Sequence, residues 1–426
     1  MSATGSHEKP IVVVGAGVFG LSTALELCQR GYKNVTVLDR MLPPVPDGSS
    51  VDISRIVRYD YTDPFYMKLA REAVQSWRSG PFHPYYYNTG FVLTSEEKND
   101  VYLEKLKSLL RSQGQAFKDF QTTEELIREF PHLKDVKQEF TGYINPNAGW
   151  ADAAGAITAL AARCSELGVS FITGPRGTVT SLRTDDSGVT GVNVASGPPL
   201  LSSNVILATG AWSNRYVDLT HAVSSSAQPV GFIQLTPEEA ADISQMPVVI
   251  NMTSGFFVFP PTPHTNVLKV ARHSHGFDTS IEVNGRTISA PKRDVNNAAS
   301  SYLPDDADEA LREGLRQVLP KVADKPWVRR RLCWYTDTPQ GNFVVDNHPS
   351  IKGLFIAIGG AGHGFKFLPV LGKYITDCFE NKASAEMRER WKLEKGNQTT
   401  GPMVCNDGSR RGPARRLLTA QEQAKL

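Results

Sequence analysis

At 426 residues the chain is too long for one ordinary domain, so two interleaved domains are expected. With 40% hydrophobic and 21% charged residues it can bury a core, and a net charge of +2 favours neither nucleic acid nor an anionic membrane. No apolar run nears the roughly 20 residues that cross a bilayer, and residues 1–10 lack an apolar signal-peptide core. Cys28, Cys164, Cys333, Cys378 and Cys405 are scattered, with no C-x-x-C pair, which argues against a disulfide framework and a zinc site and fits a reducing compartment.

Ile11, Val12, Val13 and Val14 form a β-branched run of the kind that makes a buried parallel strand. Gly15, Gly17 and Gly20 follow at G-x-G-x-x-G spacing, with Val18 and Phe19 opening the amphipathic stretch that runs to Arg30. The first glycine permits the tight turn, the second lets backbone approach a pyrophosphate, and the third lets helix pack on strand. The helix start offers unpaired N–H groups to phosphate. A second strand, residues 35–38, ends at Asp39, where a carboxylate can accept hydrogen bonds from a ribose; Arg40 stands beside it. Framed by strand, helix, strand and acid, the glycines mark an adenine dinucleotide site.

Residues 63–79 read as a helix, 96–129 as a charged, largely helical surface cover, and 152–167 as a helix stopped by Gly168. Residues 169–172 and 204–207 read as further strands of the nucleotide-binding sheet, the second leading into a small-residue turn. Short alternating runs broken by Pro, Gly and Asn across 225–300 predict an inserted antiparallel sheet. The dinucleotide fold is expected to resume near Trp334, with a buried strand at 354–358 and a helix from about 369 to 381. The polar, basic tail from about Glu394 is expected to be exposed. The predicted architecture is therefore α/β: a discontinuous, Rossmann-like cofactor domain (10–80, 145–220, 325–385), an antiparallel-sheet substrate domain (81–144, 221–324), and a tail (386–426).

Three segments carry a family resemblance: Asp47-Gly48-Ser49-Ser50 with Ser54-Arg55-Ile56-Val57-Arg58; Cys333-Trp334-Tyr335-Thr336-Asp337-Thr338-Pro339 with Phe343 to Pro349; and Gly359 to Lys366. With the N-terminal fingerprint they resemble, over about residues 10–385, the monomeric sarcosine oxidase family. That family includes pipecolate, saccharopine and fructosyl amino acid oxidases, FAD enzymes of D-amino-acid-oxidase-like two-domain build. The resemblance implies FAD held by Gly15, Gly17, Val18, Phe19, Gly20, Asp39, Arg40, Ser49, Ser54, Arg55, Gly362, Gly364, Phe365 and Lys366. It also implies a thioether from Cys333 to the flavin. From the residues alone, Cys333 beside Arg329, Arg330 and Arg331 is either an activated thiol or a small buried hydrophobe.

Arg58 and Lys366 match the family's carboxylate binders, a fork and a point charge. Arg55 and Lys269 match two basic positions near the flavin, the lysine being the one associated with oxygen activation; alternatively, Lys269 on an alternating strand is simply exposed. Tyr335 and His273 match the pair that shapes the amine site, with His275 a competing alignment for the histidine. Arg272 stands where fructosyl oxidases usually carry an acid, and Asp47 to Ser50 replaces their Ser-Ala-Gly-Asn-type segment. Arg272 then either meets a second substrate carboxylate or is a surface arginine. Cys28 and Cys378 read as core packing.

The expected activity is oxidation of a secondary amino acid, with O2 reduced to hydrogen peroxide and no metal required. A fructosyl amino acid oxidase, or a secondary-metabolite amine oxidase of the same family, is the alternative. An NAD(P)-dependent reductase with flavin would usually show a second G-x-G-x-x-G in mid-chain, and none is seen. Retention of Cys333, Lys366 and Arg58 argues against a non-catalytic FAD-binding protein. The final Ala424-Lys425-Leu426 resembles the Ser-Lys-Leu address read by the peroxisomal import receptor. A peroxisomal monomer, with partners limited to an amino acid, O2 and that receptor, is the resulting expectation.

Overall fold

The computed structural model describes residues 7–292, 300–394 and 405–426. Parts of the sequence expectations (1–6 of the N-terminal segment, 293–299 of the inserted sheet and 395–404 of the tail) lie outside the described residues.

In chain order the elements that matter for the site are β1 (Ile11–Val14), α1 (Val18–Gln29), β2 (Val35–Leu38), β3 (Arg55–Val57), α2 (Pro64–Ser79), β4 (Ser170–Ile172) and β5 (Val205–Leu207). They continue with β6 (Ser224–Gln234), β7 (Val267–Arg272), β8 (Trp327–Asp337), β9 (Val344–Asn347) and β10 (Leu354–Ile358). A six-stranded sheet runs β9–β10–β5–β1–β2–β4, parallel except for the edge strand β9. β1 and β10 are buried at every residue, as a parallel sheet covered on both faces requires. α1 packs between β1 and the closing helix Leu368–Phe379. α2 starts as the sequence dictates, with Asp63 accepting from the Phe65 N–H at 2.9 Å and Pro64 in the first turn.

The second sheet has ten strands, and β6 is its axis: β7 and β8 pair with it antiparallel on either side. The inserted sheet is not wholly antiparallel, because Val248–Asn251 runs parallel to Phe91–Ser95. Between 96 and 129 the helices are Val101–Ser112 and Thr123–Glu129, with a strand, Lys118–Phe120, between them.

Two expectations need correction. β8, which carries Cys333, Trp334 and Tyr335, belongs to the ten-stranded sheet; the chain re-enters the nucleotide-binding sheet only at Val344. Burial along this strand is continuous from Arg331 to Trp334, and the pairing with β6 decides the sheet. The described part of the tail is also not a free polar arm. Cys405, Arg410 and Leu418 are buried, Arg416–Leu417 adds a short parallel strand beside Phe277–Asp278, and Arg411 forms a bidentate pair with Asp100. Leu426 packs against the core of the second sheet. The arginines that made the tail look solvated are the groups that tie it down.

Candidate active site

β1 ends at Gly15, whose φ of +109° and whose approach to the Ala208 carbonyl (2.4 Å from an added Cβ) exclude a side chain. The chain then enters α1, and the backbone of Gly15 to Phe19 lines a cavity together with Asp39, Arg40, Ser49, Ser50, Trp212 and Gly359 to Gly362. The Asp39 carboxylate, pushed up by burial, accepts from the Ala16 N–H at 2.8 Å and the Arg40 N–H at 2.7 Å. Arg40 pairs with Asp47 through two contacts of 2.8 and 2.9 Å and lies over the Trp212 ring. Gly20 stands behind the wall, against the Gly15 carbonyl, and keeps helix and strand close.

A second cavity adjoins the first. Its floor is one face of the ten-stranded sheet, set by register: Gln228 faces Cys333, and Phe232 faces Lys269. With a side-chain period of two, Lys269, Ala271, Cys333 and Tyr335 emerge on this face, while Leu268, Val270, Leu332 and Trp334 enter the core behind it. The other side comes from β3 with the residues just after it, and from the loop and helical turn after β10, which supply Arg55, Arg58, Tyr61, His363 and Lys366. Arg55, Cys333, Tyr335, Ala361, Gly362 and Phe365 border both cavities. Gly362 is obligatory there, since an added Cβ would meet the Tyr335 ring at 2.5 Å.

Asp52 organises the basic groups. Its buried carboxylate meets Lys269 at 2.9 Å, Arg331 at 3.2 Å and Arg55 in a closer contact. Burial alone would raise this carboxyl, but Lys269, Arg55 and Arg331 hold it well below its ordinary range. Lys269, 1% exposed, also donates to the Ser54 carbonyl at 2.6 Å, and burial pushes its ammonium down to about 7 against the pull of Asp52. It is therefore not the exposed lysine that strand alternation allowed. Arg55 Nη2 lies 3.6 Å from Cys333 Sγ.

Arg58 and Lys366 face the second cavity, and neither makes an ion pair among the described residues. The Arg58 guanidinium lies over Phe91 and is held by the Asp60 carbonyl. Burial, then the Arg58 charge, push the Lys366 ammonium well below its ordinary value. His273 Nδ1 is 3.3 Å from the Tyr335 hydroxyl. Burial lowers this histidine far below its usual pKa and raises the phenol, so both are neutral. His275 does not border the cavity. Arg272 alternates to the opposite face: its Nε donates to the Ser254 carbonyl at 2.8 Å and its guanidinium lies against Gly412, leaving it at the cavity edge.

Three placements differ from expectation. Ser54 is buried behind both cavities, and it is its carbonyl that contributes, by holding Lys269. Lys366 borders only the second cavity. Ser50, passed over in favour of Ser49, accepts from the Val18 N–H at 2.9 Å, while Ser49 turns to the Trp334 carbonyl. Sequence reasoning also missed Asp52, which pairs with Lys269, Arg55 and Arg331, and missed Tyr61, His363, Asp407 and Ser409, which border the second cavity. A lone acid three residues before Arg55 was the only signal for the first.

A first cavity lined by the turn at a helix start, with an acid at the end of the next strand, is the cradle a dinucleotide requires. Residues 10–378 match the family described as FAD dependent oxidoreductase. The chain belongs to that family. It is 31% identical to L-saccharopine oxidase of Schizosaccharomyces pombe, over 92% of this chain and 95% of that one. It is 25% identical to peroxisomal sarcosine oxidase of Mus musculus, over 86% and 90%. The solved structure of fructosyl peptide oxidase from E. terrenum superposes with a TM-score of 0.87 at 29% identity, covering 96% of each chain. The protein is thus an FAD-dependent oxidoreductase with mixed α/β architecture of this family. Among the described residues no helix is long and apolar enough to cross a membrane.

Proposed function

We propose that this oxidoreductase oxidises a secondary amino acid of the sarcosine, pipecolate or saccharopine type and releases hydrogen peroxide. The observation that carries the reading is the pair Arg58 and Lys366, a half-buried and a buried cation without ion-pair partners among the described residues, facing one cavity beside the FAD cradle. Unpartnered buried charge is costly, and a carboxylate supplies what both lack.

FAD, when bound, would supply the redox chemistry: a two-electron acceptor for the hydride equivalent next to the substrate nitrogen, reoxidised by dioxygen to give hydrogen peroxide. The chain's residues do the rest. Arg58 and Lys366 anchor the carboxylate, which sets the remainder of the substrate against the wall of Cys333, Tyr335 and Gly362 common to both cavities. Neutral His273 and Tyr335 present an imidazole and a hydroxyl to the amine without adding charge. Lys269, fixed by Asp52 and the Ser54 carbonyl, favours negative charge developing on oxygen in a water-poor site. Cys333 would hold the FAD covalently through its thiol; its place on both walls and the nearby Arg55 support this. The imine left on the substrate hydrolyses in water.

The enzyme works as a peroxisomal monomer, addressed by Ala424-Lys425-Leu426. A peroxisomal relative and the exposure of Ala424 and Lys425 support this, although Leu426 must leave its packing to be read. A second reading, oxidation of fructosyl amino acids, has the fructosyl peptide oxidase superposition in its favour. A peroxide-release screen over sarcosine, pipecolate, proline, saccharopine and fructosyl amino acids separates the two. Peroxide from the fructosyl compounds alone replaces the first reading with the second; silence on all five classes removes both. An N-terminal fluorescent fusion should concentrate in peroxisomes and disperse when the last three residues are deleted.

A further inference from the structure

We propose that Tyr61, backed by His363, is the positioning residue that holds the Lys366 ammonium ready for the substrate carboxylate, an inference that rests on the amino acid oxidase reading. His363 Nε2 lies 2.7 Å from the Gly341 carbonyl, which can only accept. Nε2 therefore carries the ring proton and Nδ1 is bare. The Tyr61 hydroxyl, 2.9 Å from Nδ1, must donate to it, which turns the phenol oxygen's lone pairs toward Lys366 Nζ at 2.7 Å. A second Nζ–H goes to the His363 carbonyl at 3.0 Å, and the third is left for the cavity. The donors run one way: Lys366 to Tyr61, Tyr61 to His363, His363 to Gly341.

The rings in this chain are fixed. Tyr61 stacks on Tyr66 with centroids 5.6 Å apart, and His363 stacks on Phe343 at 5.0 Å. The Lys366 carbonyl is pinned by the Trp77 indole N–H at 2.7 Å. The charged and titratable groups facing the relay are Arg58, Arg410, Asp60, His273, Asp407, Tyr66 and Tyr102. None is within ion-pairing distance of Nζ. Burial favours the neutral amine at Lys366. An acceptor locked toward Nζ favours the ammonium, and among the described residues Tyr61 is the side chain supplying it.

The test is calorimetric titration of the FAD-loaded enzyme with propionate, a carboxylate without an amine, across pH. Carboxylate binding needs the ammonium, so it is lost as pH rises through the Lys366 pKa. Tyr61→Phe keeps the ring and removes the acceptor. It should weaken binding about tenfold and move the alkaline midpoint to lower pH, at unchanged flavin content. His363→Leu should move the midpoint the same way, and His363→Asn, which can place an acceptor near the Nδ1 position, should restore it. Tyr61→Phe with wild-type affinity and midpoint overturns the proposal, and so does weaker binding with an unmoved midpoint, the mark of a packing role. Wild-type enzyme that takes up no propionate removes the carboxylate site itself and the reading beneath it.

Discussion

The cofactor cavity takes its shape from backbone: Gly15 to Phe19, the turn after β5 and the glycines after β10 approach each other because side chains are missing where they meet. The cavity beside it takes its shape from side chains: Arg55, Arg58, Lys269 and Lys366 crowd a face of the ten-stranded sheet, with Asp52 the counter-charge for two of them. The first is a cradle whose polar groups satisfy one another. The second keeps two cations without ion-pair partners among the described residues, and that imbalance is what the proposed substrate carboxylate would offset. Their common wall, with Cys333 and Tyr335, is where the two constructions can be told apart by mutation.

The largest effect is expected at that wall. Wild-type protein precipitated with acid should retain its flavin in the pellet, and Cys333→Ala should release nearly all of it to the supernatant. Flavin free in the wild-type supernatant would make Cys333 a mere lining residue. On the substrate side, Lys366→Met leaves Arg58 facing a carboxylate without its second cation. A buried pair broken in this way loses about 3–5 kcal/mol, so kcat/KM should fall by roughly two orders of magnitude or more. Flavin content should hold, because Lys366 borders only the substrate cavity. Loss of flavin in this variant would dissolve the distinction between the two cavities.

Lys269 divides the substrate cavity further. Lys269→Met should slow reoxidation by oxygen by about tenfold or more while leaving reduction by substrate less affected, as stopped-flow measurement of the two half-reactions would show. The pH sign follows from the direction of the shift. Burial depresses this ammonium to about 7, so the charge is present below that pH and lost above it. Wild-type reoxidation should slow as pH rises through this region, and the slowing should vanish in Lys269→Met. A variant that reoxidises at the wild-type rate takes oxygen handling away from this residue.

The difference in construction also decides what could be read from the chain. The cradle is made by neighbours in sequence, so Gly15, Gly17, Gly20 and Asp39 announce a strand, a turn, a helix and a ribose acid within thirty residues. Lys269, Cys333 and Tyr335 share a face only because Phe232 meets Lys269 and Gln228 meets Cys333 across two strand pairings, a register invisible in one sequence. Their identities came from family resemblance, and Asp52, which no motif singled out, was missed. The same limit misplaced the tail: its arginines look like solvated charge until Asp100, Asp278, Asp306 and Asp337 are brought to them from elsewhere in the chain.

The smallest expected effect probes the cradle itself. Ser50 supplies its side-chain contact to the fingerprint backbone, accepting from the Val18 N–H at 2.9 Å, and the same hydroxyl would stand 3.0 Å from a Cβ added at Gly17. In a Cys333→Ser background, which removes the proposed thioether, Ser50→Ala should cost about 1 kcal/mol, near fivefold in FAD affinity, because one neutral hydrogen bond is lost from a site built mostly by backbone. Gly17→Ala should cost more, since the new methyl group meets both the hydroxyl and the space left for the cofactor. The two changes should not add: with the Ser50 hydroxyl gone, part of the Gly17→Ala penalty disappears, and a double-mutant cycle on FAD affinity reads the difference. Strict additivity would mean that the methyl group clashes with the cofactor alone. A Ser50→Ala loss of a hundredfold would mean that the cradle depends on side chains as heavily as the cavity beside it does.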